Sequence, residues 1–478
     1  MNLTHPHPSP DRPRCSVNRT ARRLAIATYG AIFVAALSAQ APPPRSSAQA
    51  PPPRSSAGGT GAVLITGARI LDVVAGAYLP AAAVLIEQGR ITSITADAPP
   101  NLADTTTRLD AKGGTLVPGL VDAHGWGAPT GDLDVSYFYL LNLAHGVTTS
   151  RVINVKTEWG VAQRGRSATW AIEAPRLSTS GRGLDQAASP VRWLFDAPDA
   201  EAARDEVARQ VAAGVDWIAA YDSVTPEVCR AMADALKGTR VGLSAQPGAS
   251  SMRDLTAAGA RSIETLAFPT QARKGSADEA WLATPAKDLA ALTTSLVRSK
   301  VMLVPMLAVA RARAFSDETV KDASLELLPD ARRARVAETL AKMSPADIVR
   351  AREAWASQLQ FIRRFVKAGG RVATGSGFET MGYPAPGVAI HQEMAALVEA
   401  GLTPAEALRA ATINGALLLG SSSDPIGLKP GVEADLFVVL GDPLNDIADL
   451  RKISTVIRGG RVVDVKDALA RGRAVRVK

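Results

Sequence analysis

VDWIAAYDSVTPEVCRAMADALKGTRVGLSA, residues 215–245, contains one complete repeat of the fold. VDWIAAY (215–221) is a short apolar run of strand character, Pro226–Leu236 is amphipathic with helical periodicity, and RVGLSA (240–245) is strand-like again. Two strands separated by a helix point to parallel pairing, because a parallel pair needs a crossover connection. The same alternation continues in both directions. Strand-like runs precede this unit at LVDAH (120–124), VTTSRVI (147–153) and RLSTS (176–180), and follow it at RSIETL (261–266), VMLVPML (301–307) and RVATGSG (371–377). Helical stretches lie between them, among them Ala200–Ala213 and Pro345–Ala368. Eight strands, each followed by a helix, predict an α/β fold of the (β/α)8 TIM-type barrel class, with any active site at the carboxyl ends of the strands.

Outside the barrel the pattern changes to short strands and turns. VLITGARILD (63–72), AAVLIEQGRITSI (82–94) and RLDAKGGTLV (108–117) precede it, and ADLFVVL (434–440) and STVIRGGRVVD (454–464) follow it. The two groups predict one small β-sandwich assembled from residues 60–115 and 421–478, with the barrel spanning 116–420.

The net charge of +8 sits mainly at the front. Residues 1–59 carry seven arginines, no lysine and a single acid, Asp11, so the rest of the 478-residue chain is nearly balanced, with 47 basic against 45 acidic side chains. Such a body offers no electrostatic case for nucleic acid. Arg19, Arg22 and Arg23 precede an apolar run from Leu24 to Ala39, followed by small residues, so residues 1–41 are expected to be a secretory signal. The protein is then exported, to the periplasm or beyond, with no membrane contact except through an uncleaved leader. SAQAPPPRS occurs at 38–46 and again at 47–55, making residues 42–59 a proline-rich, semi-extended linker. The two cysteines cannot build a disulfide framework, and Cys229 is expected to be a small core residue.

Several motifs in order resemble the amidohydrolase superfamily, in its imidazolonepropionase-like and Xaa-Pro dipeptidase-like branch. TLVPGLVDAHG (115–125) is similar to its first barrel strand and GVTTSR (146–151) to its second. AIHQEMAALVEAGLTPAEALRAATINGALLLG (389–420) resembles the helices after strand eight, and IGLKPGVEADLFVVLGDPL (426–444) the return to the sandwich. The resemblance implies hydrolysis of carbon–nitrogen bonds in small cyclic amides or dipeptides by zinc or another divalent metal, and a homo-oligomer. It also implies metal ligands at set positions: a His-x-His pair, a lysine on the fourth strand, histidines on the fifth and sixth, and an aspartate on the eighth.

His124 matches the first of these positions. Its partner two residues on is Trp126, the lysine position is Ala219, and the fifth strand offers Ser244, or Gln246 in a shifted register. The sixth strand has Thr265 and the eighth Gly377. One imidazole cannot supply the three or four ligands of a catalytic zinc, so no metal cofactor is expected. The chain is expected to be a pseudoenzyme or small-ligand binder, the alternative being hydrolysis of non-peptide carbon–nitrogen bonds by a metal-independent or altered site. Candidate catalytic residues are His124 with Asp122. Candidate residues around a small-molecule pocket are Trp126, Arg151, Tyr221, Ser244, Gln246, Thr265 and Glu379. Trp126 has two readings: it fills the vacated volume, or it walls a ligand site. No phosphate-cradling glycine loop and no Ser-His-Asp set stands out.

Overall fold

The computed structural model describes residues 61–127, 134–186, 193–377, 383–420 and 427–474, all within one compact unit, Pro53–Lys478. The expected leader, the linker and Glu379 lie outside the described residues.

Eight parallel strands form the barrel: β1 (Leu120–Gly125), β2 (Val147–Val152), β3 (Arg176–Thr179), β4 (Trp217–Ala220), β5 (Gly242–Ala245), β6 (Ser262–Glu264), β7 (Met302–Val304) and β8 (Arg371–Val372). One ladder joins β1 to β3 and another joins β4 to β8. Two backbone bonds close the ring: Asp216 N–H donates to Thr179 O at 3.0 Å, and Ala123 N–H to Thr374 O at 2.8 Å. The first junction is reinforced by the Asp216 carboxylate, which accepts from Thr179 N–H at 3.0 Å and from Arg164 at 2.7 Å. Seven of the eight predicted strand runs contain the strand observed there, and the first strand runs one residue further than predicted, to Gly125.

The opening repeat shows how alternation sorts the side chains. Ile218 and Ala220 join the cluster of the surrounding helices with Val228 and Met232, whereas Trp217 turns inward to pack with Val121, Ala123, Met302 and Val304. The indole passes directly over Gly242 of β5, where an added Cβ would lie 2.5 Å from the ring. Helix Pro226–Ala235 starts where Thr225 caps Val228 N–H and proline takes the first turn, a start signal visible in the sequence. Cys229 is fully enclosed in this layer, and burial pushes its thiol up to about 12. It is a core residue.

The strands before and after the barrel make two facing sheets, one of four strands and one of six. In the larger sheet, Leu436–Val439 pairs antiparallel with Thr115–Pro118, so both ends of the barrel are tied into one sandwich. Ile65, Ile86 and Leu116 pack with Leu436, Val438 and Ile457 in its core. Two features were absent from the sequence reading. Residues Val465–Ala474, assigned to the sandwich, form a helix whose Gly472 sits against Leu141 of the barrel helix Val135–Ala144. Between β7 and β8 lies an insertion of helices Leu307–Ala314, Ser316–Thr319 and Asp330–Ala341, ahead of the expected Pro345–Lys367. Among the described residues no helix is long and apolar enough to cross a membrane.

His145 and His391 meet beside the start of β2, at the opposite end of the barrel from the carboxyl end of β1, with ring centroids 6.2 Å apart. His391 Nε2 bonds the His145 carbonyl at 2.8 Å and His145 Nδ1 bonds Leu141 O at 2.8 Å. Burial, with His145 next to it, pushes His391 down to about 3. An unfolded histidine titrates near 6.5, so between those values the unfolded chain takes up a proton that the folded chain refuses. Stability is therefore lost as pH falls below about 6.5, by about 2 kcal/mol at pH 5 from this residue. Chemical denaturation at pH 7.5 and pH 5 should show a smaller acid loss in His391→Gln than in the wild type. Equal losses would remove His391 from the account.

Candidate functional site

The carboxyl ends of β1, β2 and β6 bring an imidazole, a carboxylate and a guanidinium together. His124 Nδ1 lies 2.8 Å from Glu264 Oε2, and Arg151 Nη2 lies 2.6 Å from Glu264 Oε1. Ser262, two residues earlier on β6, donates to the same Oε1 at 2.6 Å. Arg151 is fully enclosed: its Nε donates to Ala123 O at 2.5 Å, and its guanidinium lies over the Trp217 ring, 4.5 Å from the centroid. Burial opposes ionisation of Glu264, but Arg151, His124 and Ser262 outweigh it and hold the carboxyl below its usual range. A carboxylate bonded on both oxygens thus links an imidazole to a guanidinium.

Asp122 is placed differently from the expectation that it would serve the His124 ring. Its Oδ1 accepts from the backbone N–H groups of His124 at 3.1 Å and Ser376 at 2.9 Å. It shapes the ends of β1 and β8, while the imidazole turns to Glu264. Burial raises the Asp122 carboxyl above its usual range despite these bonds.

The remaining expected positions do not converge on one pocket. Trp126 is buried in an aromatic and aliphatic cluster with Tyr137, Tyr139, Leu327 and Tyr383, so it fills space. Arg151 points into the ion network and offers no face to a ligand. Ser244 lies within β5, opposite Ala219, with Oγ donating to Ile218 O at 3.2 Å. Ala219 packs with Ile153 and Tyr221. Gln246 follows the end of β5 and is half-buried, with its N–H on Ala220 O at 2.9 Å. Thr265 is half-buried just past β6, in the left-handed region at φ 68°, an uncommon conformation for a β-branched residue. Asp222 pairs with Arg273, and the next helix is capped by Thr225.

Gly377 is in the left-handed region at φ 58°, and a Cβ there would lie 2.6 Å from Met306 Sδ. The small residues at the strand ends therefore do not leave a roomy mouth at this point, because Met306 fills it. The insertion after β7 adds a cover. Tyr137 Oη donates to Leu327 O, and Tyr383 Oη to Asp322, each at 2.9 Å. Among the described residues, no three His, Cys, Asp or Glu side chains are arranged to hold a metal ion.

Residues 115–463 match the sequence profile of the amidohydrolase family. The chain belongs to that family. An adenine deaminase 2 from Rhizobium etli is 38% identical over 114 residues, which spans 24% of this chain and 18% of that protein. A Xaa-Pro dipeptidase solved with methionine in its active site aligns at 17% identity and a TM-score of 0.63, over 84% of this chain and 100% of that one. A bottromycin amidohydrolase aligns at 22% identity and a TM-score of 0.64, over 86% and 89%. At these identities the structural likenesses speak for the shared barrel fold alone.

Sequence reasoning missed Glu264 as the partner of His124. The available signal was its place next to Thr265, with Ser262 on the same inward face of β6. Glu264→Ala would leave the Arg151 guanidinium buried without its carboxylate, an expected loss of about 3–5 kcal/mol in urea denaturation. Combining it with Arg151→Met should cost less than the sum of the two single changes. Strict additivity would show that the pair is not a coupled unit.

Proposed function

We propose that this amidohydrolase barrel does not work through a metal centre, and that it is an exported pseudoenzyme. The carrying observation is the donor set around His124. The carboxylate bonded to the His124 ring is committed to a permanent cation, Arg151, and so is not left for an ion. A divalent ion could reach His124 only through Nε2, because Nδ1 faces Glu264, and among the described residues no three His, Cys, Asp or Glu side chains are arranged to hold it. The donor chemistry around it supports the same reading: Trp126, Ala219 and Gly377 bring no ligand atom to the positions the family uses. The donor set therefore does not fit a catalytic zinc or its relatives. The arginine-rich leader supports export, and the duplicated linker supports a tether ahead of the folded body. A homo-oligomer is part of the same proposal.

A second reading rests on the His124–Glu264 contact. A carboxylate at 2.8 Å from Nδ1 holds an imidazole in one tautomer, and the side chain retains 11% exposure, so Nε2 could serve as a general base. On that reading the chain hydrolyses a carbon–nitrogen bond in a small amide, dipeptide or aminated ring without metal.

Metal content separates these readings from ordinary hydrolysis. Protein purified from cells grown with zinc, manganese or cobalt should hold far less than one ion per chain, and calorimetry should show no tight zinc site. One tightly held ion per chain, whose removal by a chelator abolishes turnover, would falsify the proposal. Turnover of amide, dipeptide or adenine substrates that resists chelators and disappears in His124→Ala would establish the second reading.

A further inference from the structure

We propose that Glu393 is a latch that holds Met306 across the end of β8 and so closes the barrel mouth on that side. Glu393 lies on the helix Val388–Glu399, which follows β8, and is fully buried. Its side chain crosses to the segment after β7, where Oε2 accepts from Ala308 N–H at 2.7 Å. That N–H is one of the donors left without an intrahelical partner at the start of helix Leu307–Ala314, and the carboxyl oxygen satisfies it.

Met306 gives the contact its purpose. It is in the left-handed region at φ 51°, which disfavours any side chain with a Cβ. A residue keeps such a conformation only where its surroundings over-determine it. The Glu393 carboxyl contributes to that constraint by binding the Ala308 N–H, two residues beyond Met306. The resulting turn aims Sδ at Gly377, filling the space a side chain there would occupy. The chain of dependence therefore runs from Glu393 through the Met306–Ala308 backbone to the end of β8. It makes Glu393 a positioning residue for the mouth. This reading goes beyond the metal-free proposal, because the latch is a matter of backbone constraint whatever the barrel binds.

Hydrogen exchange and a mutant cycle test it on the full chain. Glu393→Ala should speed exchange of the Ala308 amide by about tenfold through loss of its hydrogen bond. Glu393→Gln keeps an acceptor oxygen and should stay within about threefold of wild type. Gly377→Ala should lower the melting temperature through both the Met306 contact and the positive φ. In a Glu393→Ala background Met306 can retreat, so that drop should shrink to the part due to φ. If Glu393→Ala fails to fold, Glu393→Asp, one methylene too short, should show a smaller rise in exchange and the same shrinkage. Unchanged exchange in the alanine or aspartate variant, or an undiminished Gly377→Ala drop in both backgrounds, would overturn the latch. Neither readout depends on metal, so failure here leaves the metal-free reading standing, and metal uptake would leave the latch standing.

Discussion

An ionised carboxyl inside a barrel is costly to desolvate, and it persists only where donors surround it. Glu264 meets that condition with Arg151, His124 and Ser262, drawn from β1, β2 and β6. Arg151 in turn needs more than one carboxylate to be comfortable away from water. It also has the Ala123 carbonyl and the face of Trp217, itself lodged over Gly242 on β5. The interior is thus a closed set of mutual obligations reaching around the strands. Its buried charges are satisfied by one another.

The mouth is closed by packing on one side and by backbone constraint on the other. Trp126 disappears beneath residues of the insertion after β7, and Asp322 fastens that insertion by accepting from Tyr383 and Gln392. On the β8 side the left-handed turn at Met306 does the filling. Neither device uses the ion network, so the closing of the mouth and the pairing of the buried charges are separate features of this barrel.

The barrel strands were legible because their apolar runs are short, regularly spaced and separated by helical periodicity. Helix Pro345–Lys367 was legible from its length and from Ser344 and Asp347, which cap each other. The preceding insertion was not. Its segments are short and rich in arginine and alanine, and they acquire their positions only by covering Trp126 and Tyr137. His124 could be picked out by its motif, but its partner could not. Asp122 is near in sequence, yet its carboxylate binds backbone, whereas Glu264 is distant in sequence and adjacent across the barrel. The glycine at 377 was readable as a missing acid. That a methionine from another strand end takes up the room depends on a positive φ at Met306, for which an unbranched side chain gives no warning.

The seam between barrel and sandwich has a consequence for how the chain is made. Thr115 donates its hydroxyl to Gly441, 326 residues further on, and the strand beginning at Thr115 finds its antiparallel neighbour only in Leu436–Val439. Until Leu436–Val439 has emerged, the strand at Thr115 has one bare, apolar edge, the kind of surface on which β-structured chains aggregate. A chain truncated before that strand therefore keeps an outer sheet with an unpaired edge.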